Sequence, residues 1–411
     1  MTTKYKTASH KSPEAPSPTP FEPQSSDRLG TRLAHALAGR YRMAPVLASI
    51  VLIWGFFQSQ NQSFLTPRNM TNLSVQIVVT ALLALGLVLI LIIKEIDLSV
   101  AALSAVCAGT MAHLMVERGI DSWVAIPAAI IAGMLVGLVQ GAIVTRFRAA
   151  SFIVTLGTSL ALQGVLLVLL PQSGSLPLSG TSVQWIANSF IQRGVGYVVV
   201  VVAAAIVAFL LFQSLRHKRR QGLNTNMLTS VVLPVTAILV AGLIVVFVLN
   251  QDRGVPTPVA ILLLLLAVMA YVTTQTRVGT YLYAIGGNAE ASKRAAISVA
   301  RVKMTTFVLA GAFAAVAGII AASQTLGVSA QSGSGTLLLE AVAAAVIGGA
   351  SLFGGRGSVW AALIGALLMG SITNGLALMS ASTETKYVVQ GIVLVLAVTV
   401  DSLLSKETKR T

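Results

Sequence analysis

Charge is what this chain has least of. Only 10% of its 411 residues are Asp, Glu, Lys or Arg, and the acids number 13. A soluble globule carries about a quarter charged residues, so a water-facing fold is excluded. Cysteine is nearly absent. Cys107 stands alone inside an apolar run, which rules out a disulfide framework and a thiolate metal site and leaves it as a small core residue. The four histidines, His10, His35, His113 and His217, are scattered. They form no metal pair, and no catalytic constellation occurs.

What fills the chain is apolar: 55% hydrophobic residues, with a mean hydropathy of +0.84. A hydrocarbon core ~30 Å thick needs about 20 helical residues. Twelve segments approach that length: 43–58, 74–93, 98–116, 123–144, 152–170, 194–213, 229–249, 256–274, 304–323, 337–351, 358–379 and 387–404. The expected fold is all-α, a polytopic transmembrane bundle of about twelve hydrophobic segments, ten to twelve of them true spans. The tenth is short and ends in Gly348-Gly349, the mark of a broken or re-entrant segment.

The formal net charge of +15 invites a nucleic-acid reading, and its distribution refutes it. With the N-terminus cytoplasmic and twelve alternating spans, every Lys and Arg falls on the cytoplasmic side except Arg68, Arg118, Arg193, Arg253 and Lys386. That is the positive-inside rule, with some affinity for anionic lipid head groups, and it puts both termini in the cytoplasm. Residues 1–42 read as a disordered cytoplasmic tail, Ser/Pro-rich over the first 30. Residues 43–404 read as the membrane domain and 405–411 as a short cytoplasmic tail. No apolar stretch follows Met1 directly, so a cleaved signal peptide is not expected.

Within the apolar runs Glu340 is the one deeply placed charge; Lys94, Glu95 and Asp97 cluster at the break between the second and third segments. Ion-driven carriers keep ionisable groups near the midplane, and one acid plus a border cluster is thin for a relay. Uncharged polar residues are more frequent: Gln76, Gln140, Thr155, Ser159, Gln163, Ser371, Thr373, Asn374 and Gln390. They suit either a path for a neutral, hydroxyl-rich solute or hydrogen-bonded helix packing. Glu340 is either partnered across the bundle or lines a wet cavity. Gly133, Gly137 and Gly141, spaced by four, read as a helix-packing face.

The cytoplasmic loop 275–303 is unusually long. It carries a compact Gly286-Gly287 turn and then a short charged helix, about Asn288 to Ala300, which suits docking of a soluble partner. Glu290 near the helix start and Lys293 and Arg294 later suit its dipole, and Glu290 and Arg294 form an i, i+4 pair. The stretch Gly287-Asn-Ala-Glu-Ala-Ser-Lys293 only approaches a phosphate-binding loop. Ser292 stands where the second glycine belongs and Arg294 where Ser or Thr would hold magnesium. If ATP drives this protein, another polypeptide binds it.

Several stretches, in order, resemble the permease subunits of bacterial ribose/galactose/xylose-class sugar importers of the ATP-binding-cassette (ABC) type. They are Phe64-Leu-Thr-Pro-Arg-Asn69, Glu95-Ile-Asp-Leu-Ser-Val100, Phe152-Ile-Val-Thr-Leu-Gly-Thr158, Tyr283-Ala-Ile-Gly-Gly-Asn288, Val346-Ile-Gly-Gly-Ala-Ser-Leu352 and Gly354-Gly-Arg-Gly357. Glu95 ahead of Ile-Asp-Leu-Ser, and Asp252-Arg-Gly-Val-Pro-Thr-Pro258 after an extra pair of segments, resemble the xylose-type branch. Three departures stand out. Ala101-Ala102 replaces the usual Gly-Ser, and Leu338-Leu339-Glu340 replaces Glu-Leu-Asp; both bear on the pathway and so on the exact sugar. Ala295-Ala296-Ile297 replaces Ser-Gly-Ile, a mild change since Ala is the better helix former.

The resemblance implies a multi-pass inner-membrane homodimer working by alternating access, with no enzymatic activity and no cofactor of its own. A cytoplasmic ABC ATPase would bind ATP and Mg and engage Asn288, Glu290, Lys293, Arg294 and Ile297. A periplasmic sugar-binding protein would dock on outer loops such as 171–193 and 324–336. The sugar's path would involve Phe152, Thr155, Asn374, Gln390 and Glu340. Glu95, Asp97, Ser99, Gly348 and Gly349 read as structural motif residues, with Asp97 capping the third span together with Ser99 rather than touching sugar. The rival class is a self-sufficient, ion-coupled carrier of a sugar or small polar solute.

Overall fold

The computed structural model describes residues 44–220 and 226–407. The expected tail over 1–42 lies outside the described residues. Runs of Leu, Ala and Val become helix here because a lipid-facing segment must satisfy its backbone internally. The helices are α1 (Ala44–Gln60), α2 (Pro67–Ile92), α3 (Val100–Val116), α4 (Ser122–Arg146), α5 (Ser151–Leu169) and the short α6 (Gln184–Asn188). Next come α7 (Arg193–Arg220), a π-helical turn (Leu228–Val232) leading into α8 (Leu233–Asn250), and α9 (Thr257–Gln275). The last group is α10 (Arg277–Gly287), α11 (Ala289–Arg294), α12 (Val299–Thr325), α13 (Gly335–Ile347), α14 (Trp360–Leu378) and α15 (Thr383–Glu407).

Each of the twelve expected segments is a helix. Eight are long and apolar enough to cross a membrane: α2, α4, α5, α7, α8 with its π turn, α9, α12 and α14. The others fall short or differ. α1 and α3 have 17 residues each and α13 has 13. At 1.5 Å per residue α13 reaches only about 20 Å, well under a hydrocarbon thickness. It stops at Gly348-Gly349 as the sequence suggests: Gly349 takes φ +109°, a left-handed conformation natural to glycine, and Gly348 lies against the Ala361 carbonyl.

α2 is the axis of the molecule. Proline at its first position opens it, and 89% of its most apolar window is buried; a helix apolar all round belongs in the middle of a bundle. α7 and α8 are the opposite case, each 11% buried over that window, and form a hairpin at the periphery whose apolar faces suit lipid. The Gly133-Gly137-Gly141 face packs on α12, as the spacing predicts. A Cβ on Gly137 would lie 2.3 Å from the Phe307 carbonyl oxygen, and one on Gly133 2.6 Å from that of Gly311. Backbone meets backbone there, which only glycine permits.

At one end of the bundle two short antiparallel ribbons tie the connections. β1 (Ser175–Pro177) pairs with β4 (Gly327–Ser329), and β2 (Phe190–Ile191) with β3 (Val255–Pro256). Two segments expected to share the outer face, 171–193 and 324–336, are thereby joined, with Leu176 and Val328 buried between them. The opposite end gathers the α2–α3 break, the 276–298 loop and the 351–357 turn.

Gly137→Ala is expected to lower the melting temperature in detergent, since overpacking of this kind costs about 1–3 kcal/mol. Gly164→Ala on α5, where nothing lies within 4 Å of the added methyl, is the control. It should hold or gain about 0.5–1 kcal/mol through helix propensity. Equal losses in both variants would refute the close crossing.

Candidate functional site

The chain between α2 and α3, residues 93–99, is not helical, yet it climbs into the bundle. Ile96 N–H donates to Ser151 Oγ at the start of α5 (3.0 Å), and Leu98 N–H to Thr155 Oγ1 one turn further in (3.0 Å). Gln140 Nε2 then donates to Ser99 Oγ (2.7 Å). Gln140 precedes the end of α4 by six residues, about 9 Å. α3 therefore begins well inside the bundle, as discontinuous helices of transporters do.

Asp97 is 2% exposed, and its Oδ1 accepts from Ser99 N–H (2.8 Å) and Ser99 Oγ–H (2.6 Å). The expectation that both residues cap α3 changes in detail. Ser99 occupies the N-cap position but its hydroxyl makes no capping bond, because Asp97 takes it. The result is a buried chain, Asp97–Ser99–Gln140, and Gln140 Oε1 at its far end is buried without a hydrogen-bond partner.

Sequence motifs far apart converge just below. Gly286 lies so close to the end of α2 that a Cβ there would be 1.8 Å from the Ile92 carbonyl oxygen and 2.6 Å from Gly355 N. The Gly355 N–H bonds to that same carbonyl (2.9 Å). Tyr283 OH donates to the Gly357 carbonyl (2.8 Å), and burial raises its phenol pKa, keeping it a donor at neutral pH. Lys94, in a left-handed conformation (φ +61°), reaches the Gly287 carbonyl (3.3 Å), and Lys303 on α12 forms an ion pair with Glu95. The 276–298 loop is thus bolted to the break.

That loop differs from its sequence reading in four ways. The expected turn at Gly286-Gly287 is the end of a helix, α10. The short helix after it, expected to run to Ala300, is α11 and stops at Arg294. Asn288 caps it by accepting from Ala291 N–H (3.0 Å). It closes because Ala296 turns left-handed (φ +61°) and Ile297 N–H bonds back to the Ser292 carbonyl (3.0 Å). Ala296 therefore occupies a glycine position, and its replacement of glycine is a backbone strain of about 1–2 kcal/mol rather than a mild gain in helicity. Glu290 and Arg294 are both exposed, and no ion pair joins the two. Lys293 is exposed beside them, while Ile297 is half-buried against the core.

A second polar group lies on α14. Thr373 Oγ1 accepts from Gln390 Nε2 of α15 (2.9 Å), which also donates to Glu340 Oε1 of α13 (2.7 Å). One residue on, Asn374 Oδ1 accepts from Asn69 Nδ2 (2.8 Å) while its own Nδ2 donates to Gln76 Oε1 (3.2 Å). The structure thus joins Glu340 and Gln390 directly, while Asn374, next to Thr373 on α14, bonds instead to Asn69 and Gln76. Phe152 and Thr155 lie apart on α5, which packs on α3 and α4. Phe152 is 48% exposed. Thr155 is buried, its hydroxyl occupied by Leu98 N–H and by the Ser151 carbonyl (2.9 Å). Sequence reasoning missed Ser151, Asn69 and Lys303, whose partners are distant in the chain.

Residues 69–398 match the family model described as "Branched-chain amino acid transport system / permease component". The chain belongs to this permease family. It is 38% identical over 362 residues, 87% of this chain and 91% of the other, to the xylose transport system permease protein XylH of Escherichia coli. The Haemophilus influenzae protein of the same name is 35% identical over 88% of this chain and 96% of its own. The ribose import permease protein RbsC of Escherichia coli is 31% identical over 87% and 92%. No solved structure matches. The permease is a transport component rather than an enzyme, and a multi-pass protein of the bacterial inner membrane.

Thr155→Val leaves the Leu98 N–H without its acceptor inside the bundle. The permease should lose about 1–3 kcal/mol of stability, with Thr155→Ser close to wild type. A melting temperature unchanged in Thr155→Val would show that the hydroxyl does not hold the break.

Proposed function

We propose that this permease is the membrane subunit of an ABC importer for a monosaccharide, xylose or a related pentose. The match to sugar permeases along nearly nine-tenths of the chain carries this reading. The twelve apolar helices are read with both termini cytoplasmic, so the Lys94, Gly286 and Gly355 end faces the cytoplasm and the β-ribbon end faces the periplasm. A periplasmic binding protein delivers sugar to the ribbon end, where the 171–193 segment, which carries the exposed Trp185, is joined to 324–336. Asn288, Glu290, Lys293, Arg294 and Ile297 form the contact for a cytoplasmic ATPase, which binds the ATP and Mg. Two copies of the chain work together among membrane lipids, and nucleic acid has no part.

The family description names amino acids, and the polar groups favour sugar. An amino acid zwitterion asks for a cation to meet its carboxylate. The Glu340–Thr373–Asn374–Gln390 group offers neutral donors and acceptors and one acid, suited to hydroxyls. Glu340 is only half-buried in the single chain. A carboxylate left facing lipid is costly, so this face is assigned to the pathway between two copies. Phe152, exposed on α5, is kept as a lining residue, while Thr155 is reserved for the backbone it already satisfies.

Purification in mild detergent from native membranes should recover a cassette ATPase at two per two permeases. A lone chain whose transport collapses with the ion gradient while ATP is intact would instead establish the ion-coupled carrier. Replacing Glu290 and Arg294 together by Ala should abolish sugar-stimulated ATP hydrolysis while leaving membrane insertion intact. Normal stimulation in that variant would remove α11 from the ATPase contact.

A further inference from the structure

We propose that Glu95 and Lys303 are positioning residues of the transport cycle. Their ion pair carries movement of the ATPase-facing loop into the non-helical segment between α2 and α3, and from there to the buried Asp97–Ser99–Gln140 chain. This rests on the importer reading above and adds to it a route for the motion.

The geometry gives α12 a hold on both ends of that chain. Lys303 is in the second turn of α12, the helix that begins directly after α11 and its closing turn. Through Glu95 it grips the segment two residues before Asp97. Its neighbour Met304 touches the other end: a Cβ on Gly141 would lie 2.9 Å from Met304 Cα, and Gly141 follows Gln140 on α4. A tilt or rotation of the first turns of α12 therefore moves Asp97 and Gln140 relative to one another.

The pair is built for this more than a surface pair would be. Its side chains are only 21% and 11% exposed, so water screens it little. A second link runs in parallel, since Lys94 bonds the Gly287 carbonyl just ahead of α11. The segment being held also carries signs of an arrangement with an alternative. Lys94 has a left-handed backbone without being glycine, and Gln140 Oε1 is buried unpartnered at the end of the chain. Strain and an unsaturated acceptor gather where a structure has to change state.

The test uses the intact complex with its ATPase, reconstituted in vesicles with binding protein and radiolabelled xylose, and reads xylose moved per ATP hydrolysed. Glu95→Lys and Lys303→Glu alone should each lower that ratio at least tenfold. The double exchange should restore it to within about twofold of wild type, and Lys303→Arg should keep it. Single exchanges that lower only melting temperature or yield, with the ratio unchanged in the assembled complex, would make the pair a structural brace and overturn the proposal. So would a double exchange no better than the singles. A wild-type complex that couples neither xylose nor another pentose to ATP would instead overturn the importer reading itself.

Discussion

The structure depends on one constraint: a backbone inside a bilayer must find hydrogen-bond partners within the protein. Regular helix meets it everywhere except where a helix is interrupted, and the main interruption here is the stretch from Ile93 to Ser99. Two hydroxyls of α5 and the Asp97 carboxylate supply what the missing turns would have supplied. Meeting that need fixes other features. Ser151 and Thr155 dock the first two turns of α5 against the break, and α3 is pushed inward to begin beside Gln140. The end of α2 is left open, so the Ile92 carbonyl is free to receive Gly355.

The second organising force is the lack of a hydrophobic drive between helices in lipid. Association then falls to close packing, and this chain invests glycine and alanine where it matters. α4 and α12 touch backbone to backbone along three glycines, and Gly348 and Gly365 do the same between α13 and α14. The α7–α8 hairpin has no such seam with the core and packs mostly on itself. An element of that kind can differ between branches of the family without disturbing the central helices.

The sequence announces what is periodic and local, and hides what is paired across distance. Hydropathy places the twelve long apolar helices, and four-residue glycine spacing places the α4 seam, because both signals repeat along the chain. The shortness of α13 is visible in its twin glycines. The start of α11 at Asn288 is visible because the turn glycines and the charged helix are neighbours in the chain. Ser151 is not legible as a partner of Ile96, nor Lys303 as a partner of Glu95 across 208 positions. Each looks like any serine at a helix start or any cytoplasmic lysine. Ala296 misleads for a related reason. Residue type speaks for helix, while the hydrogen bond from Ile297 to Ser292 forces a left-handed turn that only the folded loop reveals.

The pattern of charge explains why the loop matters so much to the proposed function. A carrier driven by an ion gradient keeps ionisable groups along its route, each held in the membrane at a cost of at least ~2.5–3.5 kcal/mol. The polar groups on α14 are amides and hydroxyls around a single acid, a set that suits the hydroxyls of a sugar and is thin for an ion relay. Under the importer reading, work enters instead from the cytoplasmic end, where charge is cheap. It must then reach a route of neutral groups without passing through an ionisable relay. Packed glycine seams and a few held backbone carbonyls can do that, because they transmit displacement rather than charge. A neutral pathway and a loop bolted to an interrupted helix are therefore two consequences of one choice, to separate the binding of the solute from the source of the work.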